Sequence, residues 1–254
     1  MIPKIIHYCW FGRNPLPELA VKCIESWEKF LPDYEIKEWN EDNYNVRKNS
    51  YISQAYDAGK YAFVSDYARF DILYQYGGIY FDTDVEVIKD LTPIIEVGAF
   101  MGVERAGAIA AGLGIASPAA TEIFKEILDM YSGEKFINND GTLNLKTVVT
   151  RVSDIFKRYG FTNEDKIQNV KGYNIYPVEY FCPKNYFTGE FNITVNSYTI
   201  HHYDGSWQTA EQKVRHVFQK RIEKIFGKSI VSRRIMWIFN VIVNIMNKVK
   251  RVRF

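Results

Sequence analysis

The sequence predicts an α/β fold, a mostly parallel sheet with flanking helices over residues 1–210, followed by basic amphipathic helices over residues 211–254. Three observations lead there: a βαβ pattern at the start, an apolar strand that delivers paired aspartates, and a break in charge near residue 210. Ile2 to Trp10 reads as the first strand. Leu16 to Leu31 repeats apolar residues at Leu19, Cys23, Ile24, Trp27 and Phe30, one face of a helix, and Pro32 ends it. Tyr34 to Asn40 alternates apolar with polar and reads as the second strand. Tyr61 to Tyr76 is expected as a helix with Gly77 as its stop, and "IYFDTDVEVI" as strand, turn and strand. Further on, "AFMGVE" reads as a strand, Ala119–Tyr131 and Leu145–Tyr159 as helices, and "NSYTIHHYDGSW" as a late strand running into a loop.

At 254 residues and 47% hydrophobic, the chain can bury a sizeable core. Its start has no small-residue cleavage site and does not read as a signal peptide. Cys9, Cys23 and Cys182 are odd in number and lack metal-ligand spacing, so buried thiols are expected rather than a disulfide framework. The net charge of +2 hides an asymmetry. Residues 211–254 carry 12 basic and 2 acidic residues, a net +10, which leaves −8 for residues 1–210. Body and tail therefore face different partners.

The chemistry centres on Asp82 and Asp84 in "YGGIYFDTD". On a strand, residues two apart point to one face, so the two carboxylates are expected to converge. A hard divalent cation removes their repulsion, and one held by two carboxylates completes its shell with water and substrate phosphates. Ligands of open α/β sheets bind at the carboxyl ends of strands, where this pair sits. Upstream, "VSDYARFD" puts Ser65, Asp66 and Arg69 within one helical turn. Asp66 can accept from a ribose or sugar hydroxyl while Arg69 offers charge-assisted hydrogen bonds.

Together, "IPKIIHYCWFG", "SDYARFDILYQYGGIYFDTD" and "IHHYDGSW" resemble, in order over residues 2–207, the DXD-bearing glycosyltransferases of family 32. The chain is more distantly similar to the glucosylating domains of large clostridial toxins. The resemblance implies a GT-A fold, a nucleotide-sugar donor, retention of anomeric configuration and a divalent metal, Mn²⁺ favoured over Mg²⁺. It implies that Trp10 stacks on the nucleobase, that Ser65, Asp66 and Arg69 hold ribose and sugar, and that Tyr80 and Asp82 lie near them. Asp84 matches the direct metal ligand, with Asp82 beside it. The segment "HYDG" resembles a late His-x-x-Gly metal motif, which selects His202, and alternation sends His201 to the opposite face. Imidazole suits Mn²⁺ better than Mg²⁺. Ser206 and Trp207 are expected to close over the diphosphate, and His7 to support the first strand. Lys135–Asn144 and Tyr176–Phe187 are expected to flank the acceptor. The family's Thr-Gly-Pro stretch is replaced near there by Asp140, Gly141 and Thr142.

The implied reaction moves a hexose or N-acetylhexosamine, uracil being the expected base, to a polysaccharide, lipopolysaccharide or lipid-linked oligosaccharide. No residue can be named as a covalent nucleophile, and the family resemblance implies front-face attack as the retaining route. The 12 residues Ile235–Met246 are apolar but for two asparagines and short of the ~20 of a transmembrane helix. Asn240, Asn244, Asn247 and Arg251 form one polar stripe, and basic residues flank the segment. Residues 211–254 are thus expected to lie on an anionic membrane surface, placing the protein in the cytoplasm at the inner face of the membrane. With no nucleic-acid motif, nucleic acid is not an expected partner. A sugar-phosphate nucleotidyltransferase is the alternative enzyme, but "WFGRNPLPEL" lacks the glycine-rich basic loop that holds a triphosphate. A non-catalytic carbohydrate-binding protein at the membrane is the third reading.

Overall fold

The opening βαβ unit forms as its periodicity requires. β1 (Ile5–Cys9) and β2 (Glu35–Trp39) pair in parallel, joined by α1 (Glu18–Phe30), which buries Ala20, Cys23 and Trp27. The computed structural model describes residues 1–186, 188–205, 210–227 and 229–252. Its packing gives two units: Met1–Lys184 with Phe191–Tyr203, and Asn185–Glu190 with Asp204–Phe254.

In the first unit α2 (Ser50–Asp57) and α3 (Tyr61–Tyr76) lead into β3 (Gly78–Tyr80), which pairs in parallel with β1. A turn separates β3 from β4 (Val85–Val87), and α4 (Thr92–Val97), β5 (Phe100–Arg105), β6 (Ala108–Ile109) and β7 (Ile115–Ser117) follow. Then come α5 (Glu122–Asp129), α6 (Val148–Arg158), β8 (Gln168–Val170), β9 (Tyr173–Tyr176), α7 (Val178–Phe181) and β10 (Thr199–His201). The main sheet runs β2-β1-β3-β7-β5-β9-β8, with β6 on β5. Strands β1, β2, β3, β5 and β9 share one direction; β6, β7 and β8 oppose them. The fold is therefore the expected α/β arrangement, a mixed sheet with flanking helices. Antiparallel β10 and β4 form a separate two-stranded sheet.

Alternation along β3 decides what the sheet carries. Ile79 and Phe81 face one apolar cluster, where the rings of Phe81 and Trp27 lie 5.4 Å apart, while Tyr80 faces the cluster on the other side. The Trp27 indole donates to the Val85 carbonyl at 2.8 Å, and the Val87 amide donates to the Ser26 hydroxyl at 2.9 Å, so α1 fixes β4 directly after the aspartate turn. On α3, buried Asp71 accepts from Lys48 at 2.6 Å and Tyr44 at 2.9 Å, which makes this acid structural.

His7 anchors the sheet, as expected. Trp39 Nε1 donates to His7 Nδ1 at 3.1 Å, and because an indole can only donate, the ring proton sits on Nε2 and goes to the Gly77 carbonyl at 2.9 Å. Gly78 passes so close that a Cβ there would stand 2.6 Å from the Ile5 carbonyl, and its φ of +104° suits glycine alone. Burial lowers the His7 pKa to about 4 against the favourable Gly77 bond. A depressed histidine pKa means that the unfolded chain takes up the proton first, so stability is full above pH 6.5 and falls between 6.5 and 4. Urea titrations should show a loss of about 3 kcal/mol over that window. His7→Gln is expected to flatten this limb of the profile.

The second unit contains α8 (Ala210–Phe226) and α9 (Ile230–Val252), with Gly227 at φ +60° between them. Phe218 stacks on Phe239 at 4.2 Å, and Ser229 and Ser232 cap the start of α9 reciprocally. Ile230, Val231, Trp237, Ile238, Val241 and Ile242 of α9 stay exposed.

Candidate donor site

Parallel strands end on one edge of a sheet, and the residues singled out by sequence gather at the ends of β1 and β3. The centre is Arg69, 4% exposed on α3. Its Nη2 lies 2.9 Å from Asp66 Oδ1 and 3.2 Å from Asp82 Oδ1, its Nη1 donates to Asp82 Oδ2 at 3.3 Å, and its Nε donates to the Ser65 carbonyl at 3.1 Å. The guanidinium also lies 4.9 Å from the centre of the Tyr80 ring, whose hydroxyl donates to Asp82 at 3.1 Å. One cation thus serves two carboxylates. Burial works against the Arg69 charge, but Asp82 and Asp66 more than offset it and raise its pKa further. At Asp66 burial prevails over Arg69, and its pKa rises to about 6. Beneath them burial pushes the Cys9 thiol up to about 12, so it is neutral.

Asp82 and Asp84 do not share a strand face as expected. β3 ends at Tyr80, and the Val85 amide donates to the Asp82 carbonyl at 3.1 Å, closing a turn that sends the two carboxylates to different partners. Asp84 Oδ1 lies 3.3 Å from His201 Nε2. The histidine that meets the aspartate is therefore His201, not His202. Because β10 pairs His201 with Val85, His201 stands beside the turn, while His202 Nε2 meets Glu86 at 2.7 Å. His201 also packs on Tyr203, ring centres 4.1 Å apart, and its Nδ1 is buried with no hydrogen-bond partner among the described residues.

Trp10 is half-buried at the end of β1, its indole donating to the Asn14 carbonyl at 2.7 Å. The Ser65 hydroxyl bonds back to the Tyr61 carbonyl at 3.2 Å, so Ser65 enters the site through its carbonyl on Arg69. Ser206 and Trp207 lie outside the described residues.

Sequence reasoning missed Gly112. Its carbonyl accepts from the Asp82 amide at 3.0 Å, and a Cβ there would stand 1.8 Å from Asp82 Oδ2. The stretch "AAGLG" thus walls in the first aspartate with bare backbone; its glycine spacing was the available signal.

Residues 17–100, which include this site's α3 and aspartate turn, match the family described as glycosyltransferase sugar-binding region containing DXD motif. Over that region the chain is similar to DXD-bearing glycosyltransferases. Among the curated proteins similar to it are inositol phosphoceramide mannosyltransferase 3 of Schizosaccharomyces pombe, 35% identical over 104 residues, covering 39% of this chain and 29% of that protein. An uncharacterized glycosyltransferase of Acanthamoeba polyphaga mimivirus is 35% identical over 106 residues, covering 39% of this chain and 42% of that protein. The matches span less than half the length of these relatives. A solved glycosyltransferase involved in glycosylation of the major capsid of PBCV-1 is 14% identical, with a TM-score of 0.47 over 85% of this chain and all of that one.

DXD glycosyltransferases generally use a divalent metal. Among the described residues, no group of three or more His, Cys, Asp or Glu side chains could hold an ion. Asp84 and His201, whose Nε2 faces the carboxylate, form a two-residue donor set, which fits an ion that takes its remaining ligands from diphosphate oxygens and water. Asp82 is committed to Arg69 and Tyr80.

Gly112→Ala should displace Asp82 from Arg69 and lower stability by about 1–3 kcal/mol in urea unfolding.

Proposed function

We propose that this chain is a metal-dependent, retaining glycosyltransferase that moves a hexose or N-acetylhexosamine from a nucleotide sugar, UDP-linked, to a lipid-linked or polysaccharide acceptor. A single arrangement supports this reading: the buried Arg69 holding Asp66 and Asp82 at the carboxyl end of β3, with the Asp84–His201 pair after the turn. Asp66 and Arg69 would grip ribose and sugar hydroxyls, and Trp10 would offer its ring to the base. Asp84 and His201 would hold a divalent ion, Mn²⁺ favoured, that neutralises charge on the diphosphate. Asp66 and Asp82 are tied to a guanidinium and so are poor nucleophiles, which favours front-face attack over a covalent intermediate. One relative is named for mannosyl transfer to inositol phosphoceramide, which supports a hexose donor and a lipid-borne acceptor.

Calorimetric titration with UDP and GDP, each with and without Mn²⁺, tests the donor site. Binding of UDP should require Mn²⁺ and weaken at least tenfold in Asp84→Ala and His201→Ala, but not in His202→Ala. If neither nucleotide binds under any condition, the transferase reading fails and the non-catalytic one takes its place. Consumption of a nucleoside triphosphate with pyrophosphate release would instead identify a nucleotidyltransferase.

The second unit supports docking on an anionic membrane surface at the cytoplasmic inner face. No described helix is long and apolar enough to cross a membrane. α9 exposes Trp237, Ile238, Val241 and Ile242 with Arg233 and Arg234 near its start, a pattern that suits the headgroup boundary. The protein should float with phosphatidylglycerol vesicles but not with phosphatidylcholine vesicles, and Trp237→Glu with Ile238→Glu should abolish flotation.

A further inference from the structure

One buried cation of the first unit has no part in the site so far. Arg151 lies on the second turn of α6, with its side chain 1% exposed. Its Nη1 donates to Glu134 Oε1 at 2.7 Å, Nη2 meets Glu134 Oε2 at 2.6 Å, and Nε donates to the Lys146 carbonyl at 3.2 Å. Asn144 closes the ring, donating to Glu134 Oε2 at 3.0 Å. One guanidinium therefore pins both ends of the segment 134–146, whose residues 138–142 are exposed or nearly so. On its other side the guanidinium lies 4.7 Å from the Tyr131 ring centre and 5.5 Å from that of Tyr51.

These contacts lead to the donor site. The Val148 backbone N–H, three residues before Arg151 in the first turn of α6, favours the charged Asp66 carboxylate. Asp66 is faced by Arg69 from α3, Asp82 from the aspartate turn, Tyr51 from α2, Tyr131 after α5, and Arg151 from α6. Two buried guanidiniums thus favour its charge, Arg69 in direct contact and Arg151 behind the Tyr51 and Tyr131 rings it packs on. A buried ion pair is a weak source of stability, since apolar residues of similar volume often serve as well. What an apolar replacement could not do is hold an exposed segment and the α6 terminus in one fixed relation to Asp66.

We propose that Arg151 is a positioning residue of the donor site, locking segment 134–146 and the first turn of α6 against Asp66 so that its carboxylate meets a sugar or ribose hydroxyl in one orientation. This rests on the donor-site reading for its functional half only. Arg151→Met removes charge and fork; Arg151→Lys keeps charge alone. Hydrogen exchange should show loss of protection over 135–146 in both variants. Carboxyl NMR titration should show Asp66 ionising about one pH unit higher in Arg151→Met and close to wild type in Arg151→Lys. Affinity for UDP-glucose or GDP-mannose with Mn²⁺, whichever the wild type binds, should fall about tenfold in Arg151→Met. Unchanged protection and an unchanged Asp66 titration in folded Arg151→Met would overturn the proposal, as would wild-type affinity. If Arg151→Met does not fold, unchanged protection over 135–146 in Arg151→Lys would overturn it instead. If the wild type binds neither sugar nucleotide, the donor reading fails, while exchange and titration still decide whether Arg151 positions Asp66.

Discussion

The site is organised around one desolvated cation, Arg69. Taking a guanidinium out of water costs several kcal/mol unless carboxylates and carbonyls replace the lost hydration. Here Asp66, Asp82 and the Ser65 carbonyl replace it, and either carboxylate that moved away would lose its buried counter-charge. That constraint explains the surroundings. α3 must run close under β3, the stretch around Gly112 must be bare backbone, and the strand must stop at Tyr80 so that Asp82 can turn back.

Much of the scaffold was legible because its signals are local. Leu16–Leu31 carries its own helical period and proline stop, and α1 forms within two residues of those bounds. The strand read from "YEIKEWN" appears as Glu35–Trp39, and Gly77 ends α3 as its position after a helical face implied. α2 gave no expectation, because its eight residues are too few for a period to stand out. β7 lies antiparallel between β3 and β5, and a three-residue strand announces neither its partners nor its direction.

The site was legible in its residues more than in its geometry. Asp66, Arg69, Tyr80 and Asp82 do meet, since the first two sit three apart on a helix and the last two sit two apart at a strand end, spacings that physics converts into shared faces. Strand alternation failed for Asp84, because the period of two applies only while the strand lasts. The choice between His201 and His202 depended on the register of β10 against β4, which no property of "IHHYDG" encodes. Gly112 was signalled only by the glycine spacing of its stretch, because a missing side chain points to a close approach only once its neighbour in space is known.

The antiparallel pairing of β10 with β4 also has a temporal side. It joins residues 85–87 to residues 199–201, across more than a hundred residues of chain, whereas the main sheet is complete once β9 has formed at residue 176. Such a long closure carries a large loop entropy and is slow relative to local contacts. During synthesis the aspartates would leave the ribosome long before their imidazole, so a nascent chain can own its scaffold and its Arg69 cluster while still lacking the Asp84–His201 pair.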